Sequence, residues 1–157
     1  MIIVADTGPL NYLVLIRYID VLQVIYGRVV IPPAVQDELL AARAPASVRA
    51  WINNPPAWLE IQTPCPIDPQ INPALDDGER EALALMQNAN PPALLLIDDL
   101  PARMEAIRLG FEIIGTLGVL LVAHKRNLLD IREAIERLRN TSFNATDSLI
   151  QHFLSQA

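Results

Sequence analysis

The chain begins with the stretch IIVADTGPL, residues 2–10, in which a short apolar run ends at an aspartate. Its first three residues, 2–4, are β-branched and have no polar residue between them, a pattern typical of a parallel strand that is covered on both faces. Asp6 follows at the carboxyl end, where open α/β sheets bind their ligands. Asp6 is therefore a functional candidate, although Asp6 and Thr7 could instead simply cap a helix that begins near Pro9.

The composition limits the class of protein. The 157 residues are 52% hydrophobic and only 19% charged, which predicts one folded domain spanning residues 1–157. A single cysteine, Cys65, excludes an internal disulfide framework and a Cys-rich zinc site, and no signal peptide is expected before the first strand, so we expect a cytoplasmic protein. No apolar run is long enough for a membrane span. The net charge of −6 disfavours passive binding to a polyanion unless basic patches or bound cations offset it.

Short apolar runs and amphipathic segments alternate along the rest of the chain. This alternation predicts an α/β fold with a parallel sheet of four to five strands and helices on both faces. A proline-rich segment, residues 64–73, is predicted to be a loop. The predicted strands after the first are residues 28–31, 58–62, 94–97 and 111–114, and the predicted helices are 10–16, 20–25, 33–40, 46–52, 75–88, 101–109, 117–125, 130–139 and 147–154.

Acidic residues lie where this fold would bring them together. Right-handed crossovers place all the carboxyl ends of the strands on one edge of the sheet. Asp6 follows the first strand, Asp98 and Asp99 follow the fourth, and Glu38 and Glu79 lie on helices that belong to that edge. Two simpler explanations remain open: Glu38 could be an ordinary surface residue, and the helix macrodipole favours some of the acids at 76–81 without any function.

Four carboxylates in one crevice carry about −4 charge, which a hard cation would neutralise. Oxygen ligands without His or Cys suit Mg²⁺ or Mn²⁺ better than zinc. Such an ion lowers the pKa of a bound water and stabilises charge on a phosphoryl group. The acids therefore indicate hydrolysis of a phosphodiester bond.

Five segments in sequence carry a resemblance to a known family: ADTGPL, IPPAVQDEL, DDGEREALAL, LLLIDDLPAR and IIGTLGVLL. Together they resemble the PIN domain, and more narrowly its VapC-like branch, over most of the chain. The resemblance implies a three-layer α/β/α sandwich and an Mg²⁺- or Mn²⁺-dependent ribonuclease, often the toxin of a toxin–antitoxin pair. RNA would then be the substrate and an antitoxin protein a partner.

The resemblance also assigns roles to residues of this chain. It implies four catalytic acids, with Asp76 or Asp77 as alternatives for the third and Asp98 for the fourth. It places metal ligands at Asp6, Asp98 and Asp99 and supporting residues at Thr7, Asp77 and Thr116, although Thr116 could be only a helix N-cap. The four catalytic acids are Asp6, Glu38, Glu79 and Asp99.

Other features of the sequence leave alternatives open. Lys125 and Arg126, at the end of a predicted helix, could bind RNA phosphates or merely favour the helix C-terminus. Leu13, Ile16 and Ile25 are expected to be exposed on the first two helices, which would suit a homodimer. A PIN-like module that has lost catalysis and binds a partner is a second candidate function, and an Mg²⁺-dependent phosphoacceptor domain is a third.

Overall fold

A five-stranded parallel sheet forms the centre of the protein, whose computed structural model describes residues 1–157. The strand order is β3-β2-β1-β4-β5, and every neighbouring pair is parallel. The predicted parallel α/β sheet with β1 in the middle is therefore confirmed. The strands are β1 (Ile2–Ala5), β2 (Val29–Ile31), β3 (Leu59–Ile61), β4 (Ala93–Leu96) and β5 (Ile113–Ile114).

Nine helices connect and follow the strands. The first begins three residues earlier than predicted, because Asp6 occupies the N-cap position and Pro9 fits the first turn, where its missing N–H has no intrahelical partner to lose. The other predicted helices are present with small shifts at their ends. The helices are α1 (Thr7–Leu15), α2 (Val21–Tyr26), α3 (Pro33–Leu40), α4 (Ala46–Asn53), α5 (Asp77–Asn88), α6 (Leu100–Arg108), α7 (Thr116–Lys125), α8 (Ile131–Arg139) and α9 (Asp147–Ser155).

The two faces of the sheet pack against two separate hydrophobic cores. Along β1, Ile3 and Ala5 face a larger core that includes residues of α1–α4 and α7–α9, whereas Val4 faces a smaller core that includes residues of α5 and α6. This alternation follows from the two-residue period of a strand. Both faces are covered, which explains why β1 is apolar throughout and confirms the layered arrangement of helices around the sheet.

The prediction that α1 exposes an apolar surface is wrong. Leu13 and Ile16 are 0% and 2% exposed, and Ile25 is half-buried against the larger core. The reason is that α1 packs against α3, α4 and α7, so little of its surface remains for solvent. These residues therefore give no support to a homodimer. None of the helices is long and apolar enough to cross a membrane.

A buried carboxylate holds the proline-rich loop to α6. Glu105 accepts a hydrogen bond from the backbone N–H of Asn72 at 2.6 Å and from Nη2 of Arg108 at 2.9 Å, while Arg108 also donates to the carbonyl of Gln70 at 3.1 Å. The hydrogen bond from Arg108 lowers the pKa of Glu105 to about 2. The loop precedes α5 along the chain, so these hydrogen bonds help to fix the position at which α5 begins.

Glu105→Ala is expected to destabilise the protein by about 1 to 3 kcal/mol, because it removes the acceptor of the hydrogen bonds from the Asn72 N–H and the half-exposed Arg108 guanidinium. Urea unfolding at pH 7 measures the loss, and Glu112→Ala, which removes an exposed glutamate, is the matched control. Since the pKa of Glu105 is lowered in the folded state, this contribution is complete above about pH 4.5 and is lost as the pH falls toward 2. Equal unfolding of the two variants would contradict the role of this carboxylate.

Candidate functional site

Three aspartates follow the carboxyl ends of the neighbouring strands β1 and β4. The two strands are neighbours, with Ile3 opposite Leu94 and Ala5 opposite Leu96. Asp6 follows β1 directly, and the pair 98–99 follows β4 after one further residue. The predicted convergence of acids at this edge of the sheet is therefore what the topology produces.

Asp6 is a buried acid without a partner for one of its oxygens. It is 6% exposed, and its Oδ1 atom makes no hydrogen bond. Although Asp6 occupies the N-cap position of α1, it makes no side-chain capping bond, so capping alone does not account for it. Burial raises its pKa to about 8, and the nearby carboxylates of Glu79, Asp76 and Glu38 add to the rise. Such a group is strongly disposed to accept a cation.

Glu38 acts on Asp6 and is held by a hydrogen bond from a neighbouring threonine. It lies half-buried on α3 and accepts a hydrogen bond from the hydroxyl of Thr7, the residue after Asp6. Burial raises the pKa of Glu38, the Thr7 hydrogen bond lowers it, and Arg43 provides a further opposing charge. Glu38 thus belongs, with Asp6, Asp76 and Glu79, to a group of carboxylates that we call the acid cluster. The supporting role of Thr7 stays a prediction, and its hydroxyl contacts Glu38.

The start of α5 passes close to Glu38 because it carries a glycine there. A Cβ atom on Gly78 would lie 2.7 Å from Oε1 of Glu38. The space that the missing side chain leaves is therefore filled by the carboxylate.

Gly78→Ala is expected to lower the activity of the site about tenfold or more while leaving the fold intact, because the added methyl group displaces the Glu38 carboxylate and misplacements of about 1 Å are costly. The change also replaces glycine by alanine near a helix start, which does not weaken the helix. Gly8→Ala is the matched control, since a Cβ at Gly8 meets nothing within 4 Å. Turnover and thermal unfolding of the two variants check the prediction, and equal activities would contradict it.

Two acids at the beginning of α5 form a capping box. Asp76 is the N-cap and accepts from the Glu79 N–H at 2.8 Å, while Oε2 of Glu79 accepts from the Asp76 N–H at 3.3 Å. Burial raises the pKa of Glu79 to about 7, and the charges of Asp76 and Asp99 contribute. Glu79 therefore serves the helix and also belongs to the acid cluster. Asp77 is exposed at the first helical position and has no hydrogen bond to these acids.

The two aspartates after β4 have different surroundings. Asp98 accepts from both the backbone N–H and the hydroxyl of Thr116, at 2.8 and 2.6 Å. Burial raises the pKa of Asp98, and the two bonds from Thr116 and the charge of Arg103 oppose that rise. Asp99 is exposed, caps α6 through the N–H of Ala102 at 3.2 Å, and acts electrostatically on Glu79.

Thr116 is not the N-cap of α7, because Gly115 occupies that position and Thr116 is the first helical residue. Its side chain instead orients Asp98. Lys125 and Arg126 lie at the other end of α7 from Thr116, about 15 Å away along a ten-residue helix. The structure therefore does not bring this basic pair to the acids.

Three residues of the site were missed from the sequence as contributors in their own right. The positive charge of Arg43 acts on Glu38 and that of Arg103 acts on Asp98, although neither arginine forms an ion pair with the acid. Asp76, considered only as an alternative third acid, adds charge next to Asp6 and Glu79. The signal for Arg103 was its position one turn after Asp99, from which a helical side chain leans back toward the helix N-terminus.

The donor set suits a hard divalent cation. All the clustered groups are carboxylates, and the buried Oδ1 of Asp6 lacks the partner that a cation would provide. The side chains do not stand close enough for three of them to form a metal site as they are placed. An ion at this position would need small movements of the carboxylates toward it.

Comparisons with known proteins give one match. A family model described as a PIN domain matches residues 2–157, which is nearly the whole chain. Neither the curated proteins nor the solved structures give a match.

Proposed function

Because this chain belongs to the PIN domain family, whose members are typically nucleases, we propose that it is a metal-dependent ribonuclease of the VapC-like branch. The reaction is hydrolysis of RNA phosphodiester bonds. The observation that carries the proposal is Asp6, a buried carboxylate with an unpartnered oxygen at the end of the central strand, surrounded by further acids.

PIN-domain nucleases generally use divalent metals, and the residues of this site fit Mg²⁺ or Mn²⁺. We assign Asp6 and Asp99 as direct ligands, with Asp98 as a further ligand. When bound, the ion supplies charge stabilisation and a nucleophile at neutral pH. Glu38 and Glu79 complete the set of acids proposed to act on the substrate.

The protein's own contribution is to hold these carboxylates in fixed positions. Thr7 orients Glu38, and Thr116 orients Asp98 through two hydrogen bonds. One oxygen of Glu79 is taken by the N–H of Asp76, which leaves the other to face the substrate. Residues locked by such contacts give the site its preorganisation, from which most of the rate enhancement is expected.

We extend the proposal to the biological setting that the family resemblance implies. The protein is proposed to be a single domain over residues 1–157, to act in the cytoplasm, and to be the toxin of a toxin–antitoxin pair that an antitoxin protein restrains. A homodimer remains a prediction, with an interface that does not include Leu13 and Ile16. Light scattering tests it, because a 17 kDa particle at micromolar concentration would remove the dimer.

The proposed activity is tested with purified protein on a broad panel of RNAs in Mg²⁺ or Mn²⁺, with EDTA as the metal-free control. We expect cleavage that requires the metal and that leaves single-stranded DNA of the same sequences intact. If folded protein cleaves no RNA with either metal, the nuclease proposal fails and a partner-binding role of the same fold takes its place.

A further inference from the structure

A cleft of about 340 Å³ opens at Asp98, one of the two aspartates that follow β4. Its walls are the beginnings of α6 and α7 on one side and the C-terminal segment with α9 on the other. The residues that give it chemical character are Asp98, Arg103, Phe143, Asn144, Leu149 and Phe153.

Arg103 is a cation with unused hydrogen-bonding capacity in this cleft. It is half-buried, and its Nη1 atom donates to the carbonyl of Ile97 at 3.0 Å. No carboxylate lies within 4 Å of its guanidinium, unlike Arg28, Arg108 and Arg137, which are in ion pairs. The remaining N–H groups of Arg103 can therefore bind an anion that approaches from the cleft.

The opposite wall is lined by apolar side chains and one amide. Phe143 and Phe153 are half-buried, Leu149 is 44% exposed, and the side chain of Asn144 is exposed to solvent. Aromatic rings with an amide and an arginine are the groups that bind unpaired bases, the rings by stacking and the polar groups by hydrogen bonds. The volume is near the lower limit of small-ligand pockets, roughly 300 Å³, and is too small for a helix of a partner protein.

The cleft shares one residue, Asp98, with the proposed active site. Asp98 lines the cleft, whereas the next residue, Asp99, acts on Glu79 in the acid cluster. Adjacent residues of a chain lie only about 3.8 Å apart between Cα atoms. A nucleotide next to the phosphate held by the acids can therefore reach the cleft.

We propose that this cleft binds one unpaired nucleobase of the RNA, next to the scissile phosphate, and that Arg103 binds a phosphate of the same nucleotide. The inference rests on the proposed ribonuclease function and adds to it a base-binding subsite.

The test uses a short single-stranded RNA that the wild-type protein cleaves, together with a series in which one nucleotide at a time lacks its base. We expect that loss of one base beside the cleaved bond lowers kcat/KM about tenfold. Phe153→Ala is expected to lower kcat/KM on the intact RNA by a similar factor and to show no further loss with the abasic RNA. Phe111→Ala is the matched control, since Phe111 is also half-buried but lines a different cleft.

Three further variants guard against a folding defect of Phe153→Ala. Leu149→Asp changes an exposed residue of the cleft and is expected to remove the sensitivity to the missing base in the same way. Arg103→Gln is expected to raise KM about tenfold with little change in kcat, and Arg103→Lys to restore part of the loss.

The inference is overturned if no abasic position matters, or if the abasic effect is the same in wild type, Phe153→Ala and Leu149→Asp; the cleft would then be left to a protein partner. If the wild-type protein cleaves no RNA at all, the proposed function fails separately. Fluorescence anisotropy with the same RNAs in Mg²⁺ then tests the base-binding subsite by RNA affinity alone. Weaker binding of one abasic RNA than of the intact RNA supports the subsite, and equal binding of all the RNAs overturns it.

Discussion

Asp6→Asn is expected to lower metal-dependent RNA cleavage by about 100-fold or more, because it would remove a proposed ligand of the metal ion, and such an ion supplies several kcal/mol of transition-state stabilisation. The same substitution is expected to raise the thermal stability of the metal-free protein. Asparagine has nearly the same shape but does not ionise, so folding at pH 7.5 no longer requires this buried position beside Glu79, Asp76 and Glu38 to take up a proton. A loss of activity with a gain of stability is the signature of a functional group kept at a structural cost.

The measurements are cleavage rates in Mg²⁺ and thermal unfolding in EDTA at pH 7.5. Asp37→Asn is the control, because Asp37 is an exposed aspartate on α3 next to Glu38 in sequence. We expect it to change neither quantity appreciably. If Asp6→Asn cleaves RNA at the wild-type rate, or unfolds at a lower temperature than wild type, the assignment of Asp6 as a strained metal ligand is wrong.

The second large effect concerns pH. Without metal, the free energy of unfolding is expected to fall as the pH rises from about 4 to about 8. In the unfolded chain Asp6 and Glu79 release their protons near their ordinary pKa values, 3.8 and 4.5, whereas the folded protein keeps them until about 8 and 7. The folded state therefore binds more protons across this range, and stability decreases with pH until it levels off above about 8.

The total decrease is expected to be roughly 3 to 5 kcal/mol, with Asp6 as the larger contributor. Urea unfolding in EDTA at pH 5 and pH 8 measures it, and Asp6→Asn should remove most of the difference. Saturating Mg²⁺ should reduce the slope as well, because metal ions bind the deprotonated carboxylates. Stability that rises between pH 5 and pH 8 in the metal-free protein would show that these acids are not held in their neutral form.

The sequence was sufficient for the fold because local and global signals agree in it. The uninterrupted apolar residues of β1 predicted a strand covered on both faces, and the structure covers it with two cores. The alternation of strands and helices then indicated that the strands of the sheet are parallel. The failure was at Leu13 and Ile16, since their burial depends on α3, α4 and α7 packing around α1, which no local pattern reveals.

The acids were predictable and the cations were not. Asp6, Asp98 and Asp99 follow buried strands, so the topology alone brings them to one edge. Lys125 and Arg126 were candidates for binding RNA phosphates, but they lie at the end of α7 that is far from Thr116 and Asp98. Arg43 occupies an ordinary position in a loop, and its effect on Glu38 arises only from packing. For Arg103, which acts on Asp98, the one signal was its position one turn after Asp99.

The pairing of β1 with β4 also has a consequence for protein synthesis. Strand β1 lacks the neighbouring strand β4 until residues about ninety positions later have been synthesised, because Ile3 pairs with Leu94. Such distant contacts form slowly and only after the intervening loop has closed. A nascent or truncated chain that ends before β4 would thus carry Asp6, Glu38 and Glu79 without Asp98 and Asp99. The carboxylates of the proposed active site therefore come together only after β4 has been synthesised.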